Sequence, residues 1–326
     1  MTHIYSLIER MLKLAFFVTF LSLTPKIATA QKLTIATFNA EFLSKSMVHI
    51  KYGKRFDIKR ESKKEQDFWN DEDNRKDKFK EASANVASFI KHMKTDILTL
   101  TEVGGEDDLE VLVNELKKIG VNFKYWEVCD CKDNFTKQHV AILSKYPLKE
   151  VWYEIEGRSI YLEETDGDSE GETGVSKGLK ATVMVNKKEI DVFVLHFKSE
   201  RGGFDSDAKR LAQASIVRRS IIPLLNAGRN VIVTGDLNSE KRSESIYRIR
   251  GFDDVYEELI QTGNSDYFEN TDVRWTYNYR GEAEQIDHIL LSSQIAKKSD
   301  IKTRILETKN ENVSDHNPVI VTFELQ

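Results

Sequence analysis

The chain has 326 residues, 40% hydrophobic and 31% charged, with a formal charge of −5 and only 4 prolines. This composition excludes a wholly disordered or low-complexity chain and fits one large globular domain or two small ones. A net negative chain repels polyanions at long range, which argues against a module that only binds nucleic acid and leaves room for an enzyme working with clustered cations or metal ions.

At the N-terminus, Arg10 and Lys13 precede the apolar run LAFFVTFLSL, and Ala28 and Ala30 have the small-residue spacing of a cleavage site. Residues 1–30 therefore read as a secretory signal peptide cleaved after Ala30, with Met11 an equally good start. The apolar run is short for a membrane span, so no stable membrane insertion is expected after cleavage, and the location is secreted or periplasmic. Cleavage would remove three basic residues and one acidic residue, leaving residues 31–326 more acidic than the whole chain.

LTIATFNAEFL then alternates as a strand that ends in polar residues. Residues 44–80 are dense in mixed charge and read as a long surface excursion, helical at its end, where Ala82, Val86, Phe89, Ile90 and Met93 recur at helical spacing. DILTLTEV is a strand. DDLEVLVNELKKIG is a helix with acids in its first turn, lysines in its last and Gly120 as its stop. The only two cysteines, Cys129 and Cys131, exclude a disulfide framework; a tight local bridge, free thiols and metal-touching thiols all remain open.

HVAILS, GLKATVMV and IDVFVLHF follow as strands, the last two paired through an NKK turn. EETDGDSEGETG, upstream of that pair, is acidic, Gly-rich and poor in apolar residues, so it reads as a mobile loop. Its acids lack the order of an EF-hand, which leaves Ca²⁺ as the lesser alternative to plain solvation. A long helix runs from about Ser206, with Leu211, Ala214, Val217, Ile221, Leu224 and Leu225 on one face and Gly228 at its end. NVIVTGDLNS, QIDHILLS and PVIVTFEL complete an intermixed pattern, which predicts an α/β fold with mixed sheets in one domain.

The polar residues of interest sit at strand ends: Asn39, Glu102, His196, Asp236 with Asn238, Asp287, and Asp315 with His316. Rigid strand ends fix side chains while the loops above leave room for a substrate. Carboxylates offer hard oxygen ligands to Mg²⁺ or Mn²⁺, the asparagines can donate to phosphate oxygens, and the histidines can act as acid, base or cation. Gly235 permits close backbone approach, and Asp236 and Asn238, two apart, point the same way. There is no G-x-S-x-G elbow, Walker loop or H-E-x-x-H. The inventory suits metal-assisted attack of water on a phosphate ester. Taken singly, each element also fits ordinary capping and turn chemistry.

The order of the pieces carries more than any one of them. Asn39 at the first strand, then TEV, LHFKS, GDLN, IDHILLS and SDHNPV, resembles the endonuclease/exonuclease/phosphatase superfamily, with its deoxyribonuclease-I-like fold, over residues 31–326. That resemblance implies a four-layered α/β sandwich, two packed mixed β-sheets flanked by helices, with a divalent-metal site at one end. It implies Glu102 as a Mg²⁺ ligand with Asn39 close by and Asp315 near the metal. Asp236 would orient or deprotonate water, Asn238 would contact the scissile phosphate, and His316 would face the phosphate with Asp287 orienting it. A carboxylate beside His316 would raise its pKa and keep the imidazolium available.

His196 matches the second histidine of the deoxyribonuclease-like members, although no motif supplies it with an acidic partner. KSERGG, with Lys198 and Arg201, is similar to the H-x-K-S-x-x-G stretch of bacterial extracellular-nuclease-like members. The superfamily cleaves DNA, RNA, inositol phosphates and sphingomyelin, and its core motifs do not choose among them. Export, Lys198 with Arg201, and the stretch VRWTYNYRG lean toward nucleic acid: Arg274, Trp275, Tyr277, Tyr279 and Arg280 can stack on bases and hold phosphates. Trp275 and Tyr277 fit equally well as the buried face of a strand. The expectation is a secreted Mg²⁺-dependent nuclease, with Mn²⁺ as an alternative ion. The second reading is a phosphatase or phospholipase C-type enzyme, although no strong apolar hairpin of the kind a sphingomyelinase needs is visible. An inactive binding protein is disfavoured, because no core motif residue is missing. Oligomeric state is not legible.

Overall fold

The computed structural model describes residues 31–162, 170–251, 259–269, 271–297, 299–309 and 313–325, so the expected signal peptide lies outside it. Strand alternation builds the layers. In β1 (Gln31–Leu43), Leu33 and Ile35 face one way and Ala36, Phe38 and Ala40 the other. In β10 (Asn230–Asp236), Ile232 faces one way and Val231 and Val233 the other. Each strand is apolar on both faces, as expected where both are covered.

One sheet has the order β15-β16-β1-β2-β4-β3, adding β2 (Ile97–Val103), β3 (Tyr125–Val128), β4 (His139–Ser144), β15 (Lys302–Ile305) and β16 (Val319–Leu325). The other has the order β11-β14-β10-β9-β8-β5, with β5 (Leu148–Trp152), β8 (Gly178–Val185), β9 (Lys188–His196), β11 (Leu259–Gln261) and β14 (Asp287–Ser292). Both are mixed: β1 with β2 and β9 with β10 run parallel, while β10 with β14 and β8 with β9 run antiparallel. The NKK turn joins β8 to β9 as expected, through the pair Val185 and Lys188.

Three apolar clusters fill the spaces between four layers. Leu33, Ile35, Val192, Ile232, Ile289 and Val321 lie between the sheets. Phe38, Leu98 and Leu100 meet α2 (Glu72–Met93) and α3 (Glu106–Lys118) outside the first sheet. Phe193, Leu195 and Val233 meet α4 (Gly203–Asn226) and α5 (Glu244–Arg250) outside the second. Full burial of each such side chain is worth about 1.5–3 kcal/mol, so the three interfaces dominate the stability. This is the expected four-layered α/β sandwich. Among the described residues no helix is long and apolar enough to cross a membrane.

Two stretches differ from the sequence expectation, and a third resolves a choice it left open. The charged run after β1 is more helical than read: after 3-10 turns at Val48–Tyr52 and Ile58–Arg60, α1 (Lys63–Asn70) is capped by Ser62 and α2 by Asp71. Buried Trp69, packed on Tyr52 and His49, holds this excursion against the body, so it is not simply solvated surface. The acidic stretch read as a mobile loop is strand from Glu170 onward, because β7 (Glu170–Val175) pairs with β6 (Ile155–Leu162) and α4 packs on both; residues 163–169 lie outside the described residues. That hairpin exposes Ile160 and Leu162 near exposed Phe204, an apolar surface the sequence reading did not find. Cys129 and Cys131 are joined as a disulfide, which decides among the three readings left open for them.

Candidate active site

Alternation also aims the polar residues. His196, Asp236 and Asp287 share the inter-sheet parity of Val194, Ile232 and Ile289 on three adjacent strands. Asp236 stands opposite His196 on one side and Asp287 on the other, so one end of the second sheet presents all three side by side. Gly235 makes the spacing possible: it has φ 133°, and a Cβ there would lie 1.9 Å from the Leu195 carbonyl oxygen. From the first sheet, Asn39 has the parity of Leu33 and Ile35 and meets the set edge-on. The Thr99 and Thr234 hydroxyls, 3.1 Å apart, tie the two sheets directly beneath.

Glu102 reaches the site by breaking the alternation. Regular pleating would turn it toward the helices with Leu98 and Leu100, but the register shifts between Leu100 and Val103, and Glu102 takes φ 57°. A similar irregularity between Asn39 and Leu43 puts Glu41 at φ 45° and Phe42 at φ 46°, and Asn238 has φ 46°. Left-handed backbone is costly for non-glycine residues, and four of the nine in the described chain cluster here.

The hydrogen bonds form a connected set. Asn39 donates from Nδ2 to Asp236 Oδ2 at 2.9 Å and accepts from the Glu41 amide at 2.9 Å. Asp236 Oδ1 accepts from the Asn238 amide at 2.9 Å, and Asn238 Nδ2 donates to the Phe197 carbonyl. Glu102 Oε2 accepts from the Phe42 amide at 3.1 Å. His316 Nδ1 lies 2.8 Å from Asp287 Oδ2, and its backbone is fixed by Ser314, whose hydroxyl also donates to the Asn39 carbonyl. Ligand atoms of Asp236, Asp287 and His316 lie within 4.8 Å of one another, as do those of Glu102, His196 and Asp236.

Electrostatics divide the set. Burial lowers the His316 pKa, but the Asp287 carboxylate beside it, helped by Asp315 and Asp236, more than offsets this and holds the imidazolium well above its usual range. His196 goes the opposite way: burial, then the charges of Lys177 and His316, keep it neutral. Its Nε2 is 3.8 Å from Asp236 and 3.9 Å from Glu102, beyond hydrogen-bond length, and Nδ1 has no partner. Burial and the Asp287 charge push Asp236 up to about 7. Burial and Asp315 raise Glu102, and they push Glu41 up to about 7.

Asp315 is exposed at the rim, within electrostatic reach of Glu41, Glu102 and His316. Lys198 and Arg201 are exposed on the loop after β9. The Lys198 peptide is clamped by α4, Gln213 accepting its N–H and Arg210 donating to its carbonyl. Arg274 lies over Phe268, 5.2 Å from the ring. Half-buried Trp275 lies outside the strands, and its carbonyl accepts from Asn317, steadying the turn behind His316. Tyr277, in β12 (Tyr277–Tyr279), stacks on His316 with ring centroids 4.7 Å apart.

Sequence reasoning missed three charged residues. Glu41 had a signal, standing two residues beyond Asn39 on the same strand. Lys177, mostly buried just before β8, faces Glu102 and Asp236 electrostatically while its Nζ donates to Gln138. Lys51, the third, had no signal among the many lysines of its run. A divalent cation fits this end of the sandwich: the half-buried Glu41 and Glu102 repel one another and have raised pKa values, Glu102 is grouped with buried Asp236, and Glu41 Oε2 is a buried oxygen without a hydrogen-bond donor.

The model described as the Endonuclease/Exonuclease/phosphatase family matches residues 36–316. No curated protein is similar enough in sequence to match. Among solved structures, truncated TDP2 from Caenorhabditis elegans is similar at 15% identity and TM-score 0.56, covering 90% of this chain and 98% of that one. A family member from Bacteroides thetaiotaomicron is 18% identical with TM-score 0.57, covering 91% and 99%. A double mutant of beta toxin from Staphylococcus aureus, with bound magnesium ions, is 15% identical with TM-score 0.55, covering 89% and 99%. At such identities the likeness is one of fold.

Proposed function

The chain belongs to the endonuclease/exonuclease/phosphatase family of divalent-metal-dependent phosphoric ester hydrolases, and from that premise we propose that it is an exported, Mg²⁺-dependent nuclease. The observation that carries the hydrolytic reading is the buried His316–Asp287 pair at 2.8 Å beside Asp236. Glu102 and Glu41 would hold the ion, with Asp315 at the rim and Asn39 fixing Glu41 to Asp236. When bound, the ion neutralises phosphate charge and polarises the ester. Asp236, held through both oxygens and pushed up to about 7, takes the proton of an attacking water. His316 donates from Nε2 to a phosphate oxygen, with Asp287 fixing the tautomer and compensating the charge. Asn238 keeps one side-chain N–H for the phosphate, and neutral His196 offers a hydrogen bond rather than a charge.

Nucleic acid is favoured by the cations beside this site, Lys177, Lys198 and Arg201, and by Tyr277, which extends an aromatic face from His316. A lipid phosphate is the second reading, and one observation favours it: a cleft of about 720 Å³ walled by Ile160, Leu162 and Phe204 adjoins the loop that follows Asn238. The test is a panel of duplex DNA, single-stranded DNA, RNA, sphingomyelin vesicles and an inositol polyphosphate, each with Mg²⁺ or EDTA and with His316→Ala as control. Cleavage of nucleic acid by the wild type with Mg²⁺ alone is the expected result. Intact nucleic acid with a hydrolysed lipid or inositol phosphate would overturn the substrate assignment.

A further inference from the structure

Lys51 belongs to the charged run that reads as solvent-facing, yet its side chain is 1% exposed. The 3-10 turn Val48–Tyr52 turns it inward, and the left-handed cap at Gly53 lets the chain leave again. Its Nζ donates to the Ala40 carbonyl at 2.8 Å and the Val313 carbonyl at 2.8 Å, and lies 3.6 Å from Glu41 Oε2. Two of the three ammonium donors are taken by backbone carbonyls, and Glu41 stands beside the nitrogen as an ion-pair partner beyond hydrogen-bond length. Ala40 sits between Asn39 and Glu41, and Val313 stands two residues before Asp315, so Lys51 joins the two stretches that bring acids to the cation end of the site. Burial lowers its pKa, and the neighbouring charges of Glu41, Asp315 and Glu102 oppose that shift and favour the ammonium.

Two-ion phosphoesterases use a second cation to share the charge of the attacking and leaving oxygens. Here an ammonium already stands 3.6 Å from Oε2 of Glu41, a proposed ion ligand, and is held in place by the Ala40 and Val313 carbonyls, so a fixed cation already shares that carboxylate. We propose that Lys51 is the built-in second cation of this site and that the chain therefore takes a single divalent ion. The inference rests on the reading of Glu41 and Glu102 as the cation site. A fixed positive charge limits how tightly the site holds its ion, and it balances acids that would otherwise lie buried and unpaired in the empty protein. Lys51 is a positioning and charge-setting residue, not one that touches the reacting atoms.

The experiment is a Mn²⁺ titration of the purified full chain, followed by electron paramagnetic resonance of free Mn²⁺ and by calorimetry, on wild type, Lys51→Met and Lys51→Arg. Wild type and Lys51→Arg are expected to bind one ion. Lys51→Met, similar in length but neutral, is expected to bind its first ion about tenfold tighter or to admit a second. Two ions of similar affinity in the wild type would overturn the proposal, even if Lys51→Met fails to fold. So would a folded Lys51→Met with wild-type ion number and affinity, since a lysine that merely ties backbone carbonyls would alter melting and not stoichiometry. No ion bound at millimolar Mn²⁺ would instead remove the cation-site reading itself.

Discussion

The two corners of the site hold charge in opposite ways. At one, His316 and Asp287 form a buried pair at 2.8 Å, cation against anion, so that their charges offset one another. At the other, Glu41 and Glu102 crowd together with raised pKa values, and the Lys51 ammonium offsets only part of their charge. A self-compensated pair can be preorganised for the transition state, whereas an under-compensated one is poised to receive an ion. Asp236, bonded through Asn39, is the hinge between the two.

The sharpest way to break this comparison is at the compensated corner. His316→Ala should lower kcat/KM by roughly 10² to 10⁴-fold on a cleaved diester, with the Mn²⁺ affinity little changed. A variant that instead loses ion binding and keeps turnover would merge the corners. At the other corner, chelation with EDTA should abolish turnover and lower the melting temperature. Glu102→Gln should erase the Mg²⁺-dependent gain, which amounts to about 2.7 kcal/mol at a hundredfold excess over Kd. An unchanged Mg²⁺ shift in that variant would remove Glu102 from the ion site.

pH separates the corners more gently. Glu41 and Asp236 are pushed up to about 7 from ordinary carboxylate values, so the folded state binds protons that the unfolded state has lost. Their stabilisation is complete below the unfolded pKa of about 4 and is lost as pH rises through about 7. The His316 contribution is also of the raised kind, present below about 6.5 and lost only as pH climbs through its higher folded value. Melting of the EDTA-treated protein should therefore fall between about pH 5 and pH 8, and Mg²⁺ should flatten that fall; a metal-free profile flat over this range would contradict the account. The smallest effect is expected outside both corners: Arg274→Ala, removed over Phe268, should change kcat by less than about twofold, with any loss confined to KM and relieved by salt.

Much of this was legible before the structure. Asp236, Asn238, Asp287 and His316 announce themselves because a buried strand that ends in an acid, amide or imidazole needs a reason, and their order supplied it. Glu102 was legible as a residue but not as a geometry, since only a bulge turns it from the helices to the site. Lys51 and Lys177 were illegible: a lysine in a run of lysines looks solvated until tertiary packing selects one for burial. Tyr277 was expected to serve substrate or core, and it lies against His316 instead. The β6–β7 hairpin was hidden because its acidic sequence favours a loop, and α4 packed on it overrides that preference.

The left-handed backbone at Glu41, Phe42, Glu102 and Asn238 has an evolutionary corollary. Such a conformation costs a non-glycine residue about 1–2 kcal/mol, which glycine would largely avoid. A lineage bred only for heat tolerance should therefore drift toward glycine at Glu102 and Phe42, becoming sturdier and inert together. Persistence of bulky residues at those positions would be a mark of selection for turnover.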